Sequence, residues 1–323
     1  MSFKTREQIV ENLISQVSTM SPDAWKKMWL TLGRTIPVSA VTGKAYRGGN
    51  RWMLLMMQSI YGYPTGRWIT KKQVHAVGGR IKDAEFRKDV LCEFWSRVTS
   101  KKKEADASGA SGEKKGGSRL MVRPFWLYNV AQCDDLPDEI VSGPIATLEP
   151  VNVRFEKADQ IVKATGATIV IGDDRAYYRM SDDAIRMPSP EQFMGDTDEL
   201  KMSRYMSTLL HELGHWTGHP SRLNRLTLAA FGTPDYAREE LVAEFASAIL
   251  CAELGIQMDE LQHPEYLANW LNVVKEDPAA LLKGANAAEA AVAHIYRYSK
   301  PTEVEAPAAD VEAEPAEALS EAA

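Results

Sequence analysis

Cysteine is scarce. Cys92, Cys133 and Cys251 are three among 323 residues, far apart and with no Cys-x-x-Cys spacing. That pattern excludes a disulfide framework and a thiolate zinc site, and it fits a reducing compartment. No apolar run reaches the roughly 18 residues of a membrane span, and WMLLMM from Trp52 falls well short. The opening residues are charged and polar and lack the apolar stretch of a secretory leader. The expectation is a cytoplasmic protein with no membrane partner. Large apolar residues are nearly missing from KKKEADASGASGEKKGG, Lys101 to Gly117. Such a segment cannot offset its ordering entropy, so a flexible insertion is expected over about 100–118. Basic residues are missing from Pro301 to Ala323, which carries seven acids among Ala and Pro and reads as a disordered acidic tail.

Positive charge is concentrated early. Residues 1–120 hold 22 Lys/Arg against 10 Asp/Glu, a net of +12, while the remainder holds 16 against 34, a net of −18. A basic half beside an acidic half is a cue for nucleic-acid contact through one part of a chain. What is abundant is ordinary: 45% hydrophobic and 25% charged residues suffice for a sizeable core. The length favours two domains, 1–145 and 146–300, followed by the tail 301–323.

Helical periodicity predicts a first helix capped by Thr5 and Gln8 and a second opening at Ser21-Pro22 with Trp25 and Trp29 on one face. A third runs from Arg51 to Tyr61 with Asn50 as its cap, and a short one covers Thr70 to Val77. VLCEFW and LMVRPFWLYNV read as strands of a hairpin with the Lys-rich insertion at its tip. In the second half, a helix over Glu156–Thr165 precedes a buried strand ATIVI and further strands in AYYRM and AIRMP. Helices are then expected over Asp198–Thr217, Asp235–Leu254, Asp259–Val274 and Pro278–Tyr298.

HELGHWTGH carries the most specific chemistry. His211 and His215 stand four apart, so on a helix both imidazoles leave one face and can share a metal, with Glu212 placed as general base. A catalytic zinc takes a third protein ligand. In REELVAEFASAIL, Glu240 and Glu244 share a helix face: Glu240 reads as the ligand and Glu244 as the carboxylate orienting a ligand histidine. His219 is the rival ligand, although Gly218 is expected to end the helix before it. His75, His263 and His294 are isolated. Arg222 and Arg225 read as a solvated loop or as substrate-orienting cations, and Tyr236 as a packing residue or an oxyanion donor.

In the N-terminal half, Trp25, Trp29, Trp52, Trp68 and Trp95 are interleaved with cations that include Arg47, Arg51, Lys71 and Lys72. Rings on which bases stack, beside cations that follow phosphates, are the physical recipe for binding single strands. The same residues also suit a packed core with a solvated surface.

PVSAVTGKAYRGGN, YGYPTGRWITKKQVHAVGG and FWLYNVAQCDDLP, together with HELGHWTGHPSRLNR and YAREELVAEFASAIL, resemble the ArdC family of antirestriction proteins over about Arg6 to Tyr298. The chain departs from that family's pattern at AWKKMW and at KDAE after Ile81, both in the DNA-binding half. The resemblance implies an α+β chain: an N-terminal α/β domain that binds single-stranded DNA, then a zincin-like metallopeptidase domain with a mixed sheet and an H-E-x-x-H helix. It implies zinc held by His211, His215 and Glu240, with Glu212 as base, in a protein of mobile elements that protects incoming DNA. Its N-terminal domain also occurs on plasmid primases. Two functions follow as expectations. One is a peptidase tethered to single-stranded DNA that cleaves a DNA-associated protein lying along an edge strand such as AIRMP. The other is a DNA shield, with Arg47, Arg51, Trp52, Trp68, Lys71 and Lys72 at its surface and zinc serving structure only.

Overall fold

The computed structural model describes residues 36–99, 118–143, 149–226, 233–258, 276–277 and 279–299, with residue 15. The helices expected before residue 36 and over 259–274, the insertion and the tail lie outside the described residues.

Four strands form the first sheet: β1 (Val38–Ser39), β2 (Arg67–Ile69), β4 (Val90–Thr99) and β5 (Ser118–Asn129), in the order β1-β2-β5-β4. The β4–β5 hairpin is antiparallel and stays in register out to Thr99 opposite Ser118, so the insertion does join the two ends of one hairpin. Before it come α1 (Gly48–Tyr61), α2 (Lys71–Ala76) and β3 (Arg80–Ile81). β6 (Cys133–Asp134), which pairs with β3, and α3 (Asp138–Val141) follow it.

α1 begins three residues before the expected Arg51. Its N-cap residue Arg47 makes no side-chain cap bond, and Asn50 does not cap it. Asn50 instead donates to the Glu93 carbonyl at 2.7 Å and accepts from the Glu93 amide at 2.9 Å, tying α1 to β4. The α1 terminus is closed from a distance, since the Gly48 amide donates to Glu289 Oε1 at 3.1 Å. Gly62 ends the helix at φ 68°, a conformation that costs a glycine nothing. Eight consecutive α1 residues, Arg51 to Gln58, are buried. A helix covered on every side lies inside a core.

The second half carries α4 (Val151–Ala164), β7 (Thr168–Ile171), β8 (Tyr177–Arg179), β9 (Ala184–Met187), α5 (Asp198–Trp216), α6 (Pro234–Leu254) and α7 (Ala279–Ser299). α4 starts at Val151, earlier than the expected Glu156. The sheet order is β7-β9-β8, with β7 parallel and β8 antiparallel to β9. Two expectations are corrected here. The ATIVI strand is exposed over most of β7, because it is an outer strand. AIRMP forms β9, the central strand paired on both sides, so among the described residues the outer strands are β7 and β8.

Thr197 caps α5 by accepting from the Leu200 amide at 3.1 Å, and Thr233 caps α6 by accepting from the Tyr236 amide at 3.3 Å. One hydrophobic core runs through both halves, from Trp52 to Met57 on α1, through Ile185 and Met187 on β9, to Leu210 and Leu213 on α5 and Phe245 on α6. Among the described residues no helix is long and apolar enough to cross a membrane.

Candidate metal centre

α5 and α6 pack side by side where Gly214 meets Ala243. A Cβ built on Gly214 would stand 3.1 Å from the Ala243 Cα. Gly214 lies between His211 and His215, and Ala243 lies between Glu240 and Glu244, so this close approach sets the imidazoles against the carboxylates.

The result is a buried cluster. His211 Nε2 and His215 Nε2 are 3.2 Å apart. Glu240 Oε2 stands 3.5 Å from His211 Nε2, and Glu240 Oε1 stands 3.6 Å from His215 Nε2. Among the described residues, His211, His215 and Glu240 form the group of His, Cys, Asp or Glu whose donor atoms all lie within 4.8 Å of one another. Two ligand atoms about 2.0–2.1 Å from a single tetrahedral ion stand about 3.4 Å apart. The observed separations have that value, and two imidazoles with a carboxylate are a donor set that zinc and related divalent ions accept. The residues therefore fit a divalent cation.

Each histidine turns its other nitrogen to a further carboxylate. His211 Nδ1 faces Glu244 Oε2 at 3.7 Å, and His215 Nδ1 faces Glu239 Oε1 at 3.4 Å. Burial by itself would pull the His211 imidazole pKa down, but Glu240 and Glu244 outweigh it and push that pKa up to about 9. The same contest, won by Glu240 and Glu239, raises His215 well above its ordinary value. Glu240 falls far below the usual carboxylate range, because His215 and His211 overcome the burial that would raise it. A divalent cation held by these residues would supply the positive charge that the buried carboxylates favour.

Glu239 is the residue sequence reasoning missed. Burial pushes its carboxyl pKa up, yet His215 and Arg225 hold it below the ordinary range. Arg225 donates to Glu239 Oε1 at 2.9 Å and Oε2 at 3.2 Å, to the Gly214 carbonyl at 3.0 Å and to Thr217 Oγ1 at 2.9 Å. The signal was present as the adjacent acids of the REEL stretch, but nothing distinguishes such an acid from a solvated one until the helix face is known.

Arg222 is likewise structural. It donates to both Asp183 oxygens, to the Tyr178 hydroxyl at 3.2 Å and to the Trp216 carbonyl at 2.6 Å, with its guanidinium 3.9 Å from the Trp216 ring centroid. Those bonds tie β8 to the end of the histidine helix. Neither arginine is a solvated loop cation. His219 lies outside the cluster, with its Nδ1 occupied by Ser221 Oγ at 2.7 Å.

Glu212, His215 and Glu240 line a cavity of about 600 Å³, with Tyr177 and Tyr178 of β8 on one wall and Tyr236 beside them. Glu212 is only 3% exposed.

The residues expected to meet DNA separate into two groups. Arg47, Lys71 and Lys72 are exposed. Arg51, Trp52 and Trp68 are corrected: all three are core residues, exposed by 3%, 5% and 0%. Arg51 donates to the Tyr46 carbonyl at 2.9 Å and is paired with Glu253 at 3.2 Å and Glu289 at 3.1 Å. The Trp52 ring lies 3.6 Å from that of Phe245. Helical and strand spacing turned these side chains inward. Among the described residues of this half the exposed rings are others: Phe86, 52% exposed with Lys71 Nζ 5.1 Å from its centroid, Trp126, 49% exposed, and Tyr61, 41% exposed.

Comparison with known proteins follows the same division of the chain. Residues 3–128 match the family described as the N-terminal domain of anti-restriction factor ArdC, and residues 156–287 match that of a zincin-like metallopeptidase. A DNA primase TraC of Escherichia coli is 37% identical over 295 residues, covering 88% of this chain and 26% of the primase. A second TraC of the same species is 36% identical over 299 residues, covering 88% of this chain and 19% of that protein. The chain thus spans about a quarter of the first relative's length and about a fifth of the second's. Protein y4eC of Sinorhizobium fredii is 31% identical over 287 residues, 88% of each chain. The metal-free crystal structure of the antirestriction ArdC protein from plasmid R388 is 28% identical with a TM-score of 0.66, over 90% of this chain and 96% of that one. Its Mn(II)-bound form has the same identity and TM-score over 92% and 98%.

Proposed function

The chain belongs to the ArdC family of antirestriction proteins, and on that premise we propose that it is a metal-dependent peptidase addressed to single-stranded DNA. The observation that carries the reading is a three-ligand cluster and a carboxylate at the floor of a cavity walled by an open strand edge.

His211 Nε2, His215 Nε2 and Glu240 would hold the ion, with Glu244 and Glu239 orienting the two rings through their Nδ1 atoms. Zinc suits this donor set, and the Mn(II) form of the R388 protein makes manganese the alternative. When bound, such an ion supplies Lewis acidity that brings the pKa of a water toward neutrality and polarises a carbonyl. Glu212, one residue from the first ligand, takes the proton from the attacking water and later returns it to the leaving amine. β8, an outer strand among the described residues, would offer its edge to an extended peptide, which would add as a further strand. The substrate is a protein found on the DNA that the N-terminal half binds. Arg47, Lys71 and Lys72 contact phosphates there, and Phe86 and Trp126 offer ring faces to bases.

The test is restriction of transferred DNA in cells that carry wild type, Glu212→Gln, or Arg47, Lys71 and Lys72 all changed to Ala. The reading expects Glu212→Gln to lose protection while the purified variant still binds single-stranded DNA. Full protection by Glu212→Gln, with loss only in the triple variant, would make the protein a DNA shield in which the metal is structural.

A further inference from the structure

Between β3 and β4 the chain makes a turn, residues 82–88, whose outermost side chains are Phe86 and Arg87. KDAE, Lys82 to Glu85, is also where the sequence departs from the family's pattern, so this turn belongs to the chain itself. It opens with a single 3-10 turn, Asp83–Glu85. The Glu85 amide donates to the Lys82 carbonyl at 2.9 Å, and the Lys88 amide donates to the Glu85 carbonyl at 3.1 Å. The turn is then tied to its surroundings. Gln132 donates to Glu85 Oε2 at 3.3 Å and to the Lys88 carbonyl at 3.2 Å, and Lys82 Nζ donates to the Ala131 carbonyl at 2.8 Å. The Tyr128 hydroxyl is bonded to the Arg87 backbone, which stands at φ 71°, a conformation that crowds any side chain. A backbone pinned in this way presents Phe86, 52% exposed, as a fixed apolar ring in water.

Lys71 Nζ lies over that ring, 5.1 Å from its centroid. One face is therefore taken by an ammonium, and only the other can meet a base. A ring open on both faces can enter a stack of bases, whereas a ring open on one face can only end it. Trp126 lies two residues from Tyr128 on β5, so it stands on the face of the strand to which the turn is bonded. Lys71, Lys72 and Arg87 are exposed beside these rings, in the half of the chain whose first 120 residues carry a net of +12.

Resting on the DNA-binding reading, we propose that this turn caps the junction between duplex and single-stranded DNA. The last base pair lies on the free face of Phe86, and the single strand runs on past Trp126. A terminal pair has one bare apolar face and gives up no stacking to reach a fixed ring. A base inside a single strand must leave a neighbour to do the same. Lys71, Lys72 and Arg87 meet the phosphates on either side of the step.

Fluorescence anisotropy on the full chain at one fixed salt concentration tests this with three labelled DNAs of equal nucleotide count. They are an unstructured single strand, a blunt duplex, and a hairpin duplex that carries a single-stranded tail. The expected result is that the tailed hairpin binds about tenfold tighter than either of the others. Phe86→Ala should bring the ratio of tailed-hairpin to single-strand affinity down to about one, and Phe86→Trp should keep it. Trp126→Ala should weaken both probes and leave the ratio standing. Equal binding of the tailed hairpin and the single strand by wild type overturns the cap, as does a ratio that survives Phe86→Ala. Equal binding of the blunt duplex and the tailed hairpin overturns it too, since the single strand then adds nothing. In each of those cases single-strand binding itself stands. If the single strand does not bind at all, the DNA-binding reading falls and the cap falls with it.

Discussion

Glu239 separates two kinds of change at the metal centre. In the proposed reaction Glu212 would be a proton acceptor and no ligand, so Glu212→Gln should bind metal as wild type does while any peptide hydrolysis falls about 10²–10⁴-fold. Glu239 touches His215 Nδ1 at 3.4 Å and would act on a bound ion through that ring. Glu239→Ala should weaken metal affinity about 10–100-fold, and titration against a chelator measures it. The Co(II) absorption spectrum should shift in Glu239→Ala and recover in Glu239→Gln, a recovery that general loosening of the fold does not produce. Asp183 provides a pH reading away from the ion. Its bond from Arg222 comes first among the causes that hold its pKa below the ordinary value, with burial opposing. A group depressed in the folded state stabilises at pH above its unfolded value and loses that contribution as pH falls through its folded one. The fold should therefore weaken below the ordinary aspartate range, near pH 4 and under. Asp183→Asn should flatten that limb in a melting series across pH.

At the level of elements, the closeness of α5 and α6 is the quantity to perturb. Gly214→Val has no room against the Ala243 backbone, so the helices must part. The expected cost is about 1–3 kcal/mol of stability and a larger proportional loss of metal affinity, read by melting with and without the ion. The β4–β5 hairpin invites the opposite experiment. Thr99 and Ser118 are already opposite one another, so replacing residues 100–117 by a two-residue turn should leave the melting temperature within a few degrees. This is also the scale at which the sequence was most and least informative. His211 and His215 were legible because helical spacing sets them on one face, whereas Glu240, on the next helix, rested on its spacing from Glu244 and on the family resemblance. Glu239 was not legible, since it lies one step from Glu240 and its partner Arg225 arrives from a separate loop. β7 was misjudged because an apolar run reports affinity for a core but not whether a strand is central or outer. Arg51, Trp52 and Trp68 were misjudged for a related reason: cations and rings suit a surface groove, and composition carries no direction.

Among the described residues the larger core spans both halves, where the sequence suggested one for each, and a smaller cluster around Ile69 and Val74 stays within the first. Arg51, from the first half, is buried between Glu253 and Glu289 of the second. Arg51→Met leaves two carboxylates partly buried without their cation and should cost about 3 kcal/mol. Unfolding should be a single transition seen alike by tryptophan fluorescence and by metal release, and residues 146–323 expressed alone should not reach the same melting temperature. Two separated transitions in the full chain would instead mean that the halves are stable apart.

That shared core bears on inheritance. A genetic exchange with its breakpoint between the two family-matched segments would hand the recipient a helix, α1, whose buried faces no longer meet their partners. Such recombinants should fold poorly, so the two segments are expected to be inherited together. In the two TraC primases the matched stretch covers 88% of this chain in one alignment, inside proteins several times its length.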